Sequence, residues 1–182
     1  MRPLIVIAVA FLFGGSAAAG ELTIAAGLES GASTWKDDTA GYGTLDVGYR
    51  WQRWSVFALG KSGYAEVDER ILQYIGVGGA VWTEWKGTRP FFRLAITHQH
   101  ESPRDAVDND IGTLLGYGSG IRHRGGVGAA GGLQYAFRER EWGHLFASAE
   151  AYGDAMIGSS GPTWYWGGGL AVGFTYDFGS KK

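Results

Sequence analysis

Trp164-Tyr165-Trp166-Gly167-Gly168-Gly169-Leu170-Ala171-Val172-Gly173-Phe174-Thr175-Tyr176-Asp177-Phe178 is the stretch on which the fold turns. Trp164, Trp166, Leu170, Val172, Phe174, Tyr176 and Phe178 fall on one parity, and Tyr165, Gly167, Gly169, Ala171, Gly173, Thr175 and Asp177 on the other. Successive side chains of an extended strand point to opposite faces, so this order builds one bulky apolar face and one small or polar face.

The same alternation recurs upstream, giving eight stretches in all. Leu22, Ile24, Ala26 and Leu28 oppose Thr23, Ala25, Gly27 and Glu29; Leu45, Val47, Tyr49 and Trp51 oppose Thr44, Asp46, Gly48 and Arg50. Stretches about Ile71 to Trp85, Phe92 to Gln99, Val127 to Phe137 and Leu145 to Tyr152 repeat it. Between Trp54 and Ala65 the parity of Phe57 and Leu59 also carries Lys61, which leaves the facing of the third stretch open.

Charges decide which face is outside. A charged side chain turned to lipid near the bilayer midplane costs about 2 to 4 kcal/mol. Asp46, Arg50, Glu84, Arg93 and Glu150 are therefore expected to point inward and the bulky apolar faces outward. A soluble ligand-binding barrel would show the reverse polarity. The sequence thus predicts an all-β fold: an eight-stranded antiparallel up-and-down transmembrane β-barrel.

The links agree. Short turns are expected near Gln52-Arg53, Lys86 to Arg89 and Arg138 to Glu141, with longer links near Ser30 to Ala40, Glu101 to Arg124 and Gly153 to Thr163. Short periplasmic turns alternating with longer external loops are the habit of outer-membrane barrels. Trp51, Trp54, Trp82, Trp85 and Trp142 fall at the short-turn side and Trp35, Trp164 and Trp166 toward the other, as two interfacial girdles would.

Met1-Arg2-Pro3, the apolar run Leu4 to Phe13 and the small residues Gly14 to Gly20 read as a secretory signal peptide, residues 1–19, cut after Ala19. Residues 20–182 then form one exported barrel domain, localised to a bacterial outer membrane. The run is too short to cross a bilayer as a helix. Cysteine is absent, which excludes disulfides and thiol chemistry, and a net charge of −2 gives no electrostatic case for nucleic acid. With 32 glycines, 14% aromatics and near-neutral mean hydropathy, the composition suits alternating strands better than disorder or apolar helices.

With its leader, its alternating segments and the terminal Phe174-Thr175-Tyr176-Asp177-Phe178, the chain resembles the small outer-membrane barrel proteins as a class. That resemblance implies recognition of the last strand by the barrel-assembly machinery during insertion. It further implies contact with outer-membrane lipid and lipopolysaccharide, and a structural or interaction role through external loops. A barrel of eight strands has an interior that side chains fill, so the inward charges are expected to form a paired plug rather than an open pore. No cofactor is expected, and an envelope or extracellular partner would meet the segment 101–124.

Thr97-His98-Gln99-His100-Glu101-Ser102 carries the sharper chemistry. By parity His98, His100 and Ser102 continue the lipid-facing row of Phe92, Leu94 and Ile96. A histidine two residues from a serine on one strand face can hold imidazole near hydroxyl, the minimum for a base-activated nucleophile. Asp105, Asp108, Asn109 or Asp110 could orient the base. His100-Glu101-Ser102 followed by Asn109-Asp110 and Gly112 resembles the His-x-Ser segment of the lipid A 3-O-deacylases and outer-membrane phospholipase A. The resemblance implies a lipid esterase or deacylase with His100 and Ser102 as catalytic residues. Two other readings stand beside it: polar residues at the water boundary, and a metal site of His98 and His100 with His123 and loop acids, because His-x-His puts both imidazoles on one face. His144, at the short-turn rim, reads as a solvated or lumen-paired histidine. The glycines of 125–132 and 167–169 read as small residues fitting a crowded lumen.

Overall fold

The computed structural model describes residues 20–109, 112–113, 120–158 and 160–178. The expected signal peptide, Asp110, most of the segment Gly116 to Gly120 and the tail Gly179 to Lys182 lie outside the described residues.

Eight strands follow one another: β1 (Glu21–Ser33), β2 (Thr39–Trp51), β3 (Trp54–Ala65), β4 (Arg70–Trp82), β5 (Thr88–Pro103), β6 (Arg122–Arg140), β7 (Gly143–Met156) and β8 (Trp164–Asp177), with a short helix α1 (Arg104–Asn109) after β5. Each strand pairs antiparallel with the next, and β8 returns to β1 from Glu21↔Asp177 to Ser33↔Tyr165, which closes the barrel. Closure leaves no strand edge unpaired. The parity reading gave this fold, strand for strand. The strands run further than expected at the long-link end, so the first link narrows to residues 34–38 and β6 begins at Arg122.

Turn chemistry fixes the short end. Lys86 and Gly87 both have positive φ (49° and 79°), and Trp85 and Thr88 bond backbone to backbone in both directions at 2.9 Å. Two positive φ values make the tight turn whose twist matches the strands it joins.

Outside, Leu28, Leu45, Ile75, Val77, Leu94, Ile96, Val127, Leu170 and Val172 are all exposed, forming an apolar belt around the wall. Inside, Glu29, Arg50, Lys61, Gln99, Glu101, Arg124 and Asp154 are buried. The third strand resolves here: Phe57, Leu59 and Lys61 face the lumen, and the small Ala58, Gly60 and Ser62 face out. Two expectations need correction. Trp82 turns into the lumen mouth, where Nε1 donates to Ser55 Oγ at 2.8 Å and the ring lies 4.8 Å from that of Phe91, so it is no part of a girdle. Glu84 lies past the end of β4 with an exposed side chain, 3.6 Å from Arg89 Nε, because the strand stops before its parity can carry it inward.

The lumen charges fall into tiers. At the long-link end Glu101 meets Arg122 Nε at 2.7 Å and Arg124 Nη1 at 2.9 Å. Midway, Lys61 meets Glu29 at 2.7 Å and Asp154 at 3.5 Å. Below it Arg93 pairs with Asp46 at 2.8 Å and also with Glu150, beside a cavity of about 80 Å³. At the short-turn rim Arg50 pairs with Glu21. His144 lies there too. Arg89 donates to its Nε2 at 3.1 Å, and since arginine is only a donor, Nε2 accepts and Nδ1 carries the proton toward Thr175 Oγ1, 2.8 Å away.

Candidate functional site

Strand β5 carries two rows of side chains past the top of the apolar belt, and the wall separates what they do. On the inward row Gln99 Nε2 donates to Glu101 Oε1 at 2.9 Å, as does Arg124 Nη1 at 2.9 Å. Glu101 is fully buried. An ionised carboxylate in such a place needs cations and donors around it, and Arg122 and Arg124 from β6 supply them. Arg122 also pairs with Asp68 and lies over the Trp35 ring at 5.5 Å, while Arg70 Nη1 donates to the Glu101 carbonyl at 2.8 Å. These ties clamp the links after β1 and β3 to the barrel rim.

Midway down the lumen lies a second enclosed cation, Lys61. Lys61 Nζ sits 4.1 Å from the Tyr152 ring centroid, 4.8 Å from that of Tyr74 and 5.8 Å from that of Tyr42. Tyr74 hydroxyl donates to Asp154 Oδ1 at 2.9 Å. A desolvated ammonium gains from ring faces as well as from carboxylates. Gly128 makes room for this cluster: a Cβ built there would overlap Asp154 Oδ1 and crowd the Tyr74 hydroxyl at 3.1 Å. The inward glycine thus serves the crowding that the sequence suggested, at a place where polar atoms rather than apolar bulk fill the space.

On the outward row of β5 the belt ends at Ile96 and gives way to His98 and His100. His123 of β6 stands opposite His100 in the register. The ring centroids are 4.7 Å apart for His98 and His100, 4.5 Å for His100 and His123, and 6.0 Å for His98 and His123. At the same level Gln73 Nε2 donates to Ser62 Oγ at 2.8 Å, also on the outer wall. The polar row marks the upper edge of the belt.

Ser102 keeps the register of that row, opposite Ile71, but is covered. Parity placed it facing lipid beside His100, but it is fully buried and its hydroxyl donates to the Thr113 carbonyl at 3.0 Å. Thr113 Oγ1 in turn donates to the Ala106 carbonyl at 3.4 Å, so the chain after β5 folds back over the serine. His100 instead neighbours two other imidazoles. Asp105 is exposed in the first turn of α1, and Asp110 lies outside the described residues. Sequence reading named His123 beside His98 and His100 but could not place it: it is 23 residues from His100, and the β5–β6 register sets the two opposite each other.

A closed eight-stranded barrel with an apolar exterior and a charged interior is the class that fold and site define. No family model matches the sequence, and no curated protein matches it significantly. Among solved structures the chain is similar to Neisserial surface protein A, NspA, at 14% identity and a TM-score of 0.57 over 88% of this chain and 97% of that one. It is similar also to the N-terminal β-barrel domain of Pseudomonas aeruginosa OprF, at 18% identity and a TM-score of 0.51 over 87% and 98%. At these identities the likeness is one of fold, and it covers nearly the whole barrel in each case.

Proposed function

We infer that the protein is an integral outer-membrane barrel whose lumen is closed by its own paired charges and whose links at one end meet the outside. The observation that carries this is the inverted polarity: Leu45, Leu94, Val127 and Leu170 exposed on the wall, Lys61, Glu101 and Arg124 buried within it. Water would favour the opposite arrangement, and only a hydrocarbon surround makes this one stable. Strands of 13 residues, such as β1, β2 and β4, span about 30 Å at the usual tilt, enough for the apolar band of such a barrel.

The export leader of residues 1–19, recognition of the last strand by the barrel-assembly machinery, and contact with lipopolysaccharide belong to this reading. The partner surface is the group of links 34–38, 66–69, 104–121 and 157–163, chiefly the segment 101–124. Sequence supports a preference here. With Asp38 buried and Asp68 paired to Arg70 and Arg122, links 34–38 and 66–69 still carry Asp37, Glu66 and Glu69 against Lys36, and the sequence of 104–121 adds Asp105, Asp108 and Asp110 against Arg104. An acidic rim favours cationic partners, or anionic ones joined through divalent cations, over free polyanions.

Refolding tests the proposal. The mature barrel should insert into detergent micelles or lipid vesicles and show heat-modifiable migration on a gel, and vesicles containing it should stay impermeable to small solutes. A chain that folds in buffer without detergent, or that makes vesicles leak, would refute the barrel or the plug respectively.

A further inference from the structure

We propose that His98, His100 and His123 form a surface site for one borderline divalent transition-metal ion, Zn²⁺ or Cu²⁺, on the outer wall of the barrel. His98 and His100 stand two residues apart on β5 and share a face; His123 faces His100 across the β5–β6 ladder, and Gly125 faces His98. The four positions make a two-by-two block with imidazole at three corners. The fourth corner has no side chain, and a Cβ built on Gly125 would meet nothing within 4 Å. The block therefore has three nitrogen ligands and an open side.

The donor geometry suits a metal. One ligating nitrogen from each ring lies within 4.8 Å of the others. A tetrahedral ion with Zn–N bonds of 2.0 to 2.1 Å needs nitrogens about 3.3 Å apart, a gap that small ring rotations close. Among the described residues none of the three imidazoles has a hydrogen-bond partner, and each has another imidazole beside it. The neighbouring cations do not oppose the ion: Arg122 and Arg124 are drawn through the wall to Glu101. Three imidazoles favour zinc, copper or nickel over calcium and magnesium, which prefer oxygen. With three protein nitrogens the ion keeps a position for water or an outside oxygen donor.

Where the site lies gives it a use distinct from the link surface. It sits at the upper edge of the apolar belt, next after Ile96 on β5 and with Ile75 opposite His98, at the level where Gln73 and Ser62 make the outer wall polar. The inference stands whether or not the links bind any partner.

Titration of the refolded, tag-free barrel in detergent with Zn²⁺, followed by calorimetry, is the test. One ion per barrel should bind, Ca²⁺ in excess should not displace it, and His123→Ala should weaken binding by at least about tenfold, a loss no smaller than those seen when outer-shell partners are removed. Equal binding by parent and His123→Ala, or no binding by the folded parent, would overturn the site. Cu²⁺ electron paramagnetic resonance of the parent needs no variant: three nitrogen donors on one ion are expected, and one or none would overturn it.

Discussion

Lys61 and the histidine block sit on opposite sides of one wall and solve opposite problems. Lys61 is buried, with Glu29 and Asp154 as counter-charges and aromatic rings around it. The imidazoles of His98 and His123 are exposed, with the His100 ring between them at 4.7 and 4.5 Å. A buried charge survives only when counter-charges meet it, and Glu29 and Asp154 do so for Lys61. An exposed neutral imidazole costs little to leave unpartnered, and so can wait for an ion.

The largest expected effect lies inside. Lys61→Ala should destabilise the barrel by about 3 to 5 kcal/mol in denaturant unfolding from lipid, because it strands Glu29 and Asp154. Adding Glu29→Gln and Asp154→Asn should restore most of that loss; failure to do so would mean that the lysine acts through its alkyl packing rather than its charge.

Depth on the outer wall comes next, tested on one row of β5. Leu94→Arg, in the belt, should cost about 2 to 4 kcal/mol and His98→Arg, at the boundary, about 0 to 1. Equal costs would move the membrane edge away from the histidines. Gly128→Ala should cost about 1 to 3 kcal/mol by overpacking against Asp154, whereas Gly125→Ala, with open space before it, should fall well below that in the same unfolding series.

Ser102→Ala should be smaller, about 1 kcal/mol for the hydrogen bond to the Thr113 carbonyl. Fatty-acid release from lipid A or phospholipid, assayed with the refolded barrel, should not depend on Ser102, since its hydroxyl lies buried under the returning chain. Release lost in both Ser102→Ala and His100→Ala would instead require that chain to lift during turnover.

Much of this was legible because alternation is local. A strand's pleat sends residue 170 and residue 172 to one side whatever the rest of the chain does, so the charges of Asp46, Arg93 and Glu150 were enough to turn the barrel inside out on paper. Parity failed where a strand ended, at Glu84 past β4, and it could not foresee that the chain after β5 folds back to cover Ser102. It was silent on β3, where Phe57 and Leu59 share Lys61's parity and line the lumen despite being apolar.

The sequence by itself determined the number of strands, their order, the inverted polarity and the alternation of short and long links, all of which follow from the two-residue period and the cost of charge in lipid. The tertiary structure alone decided which residues meet across strands: His123 with His100, Asp154 with Lys61, Arg124 with Glu101. Those meetings depend on ladder register and barrel closure, which are set by hydrogen bonding between segments far apart in the chain, and a one-residue slip in any ladder would exchange every face that parity had assigned.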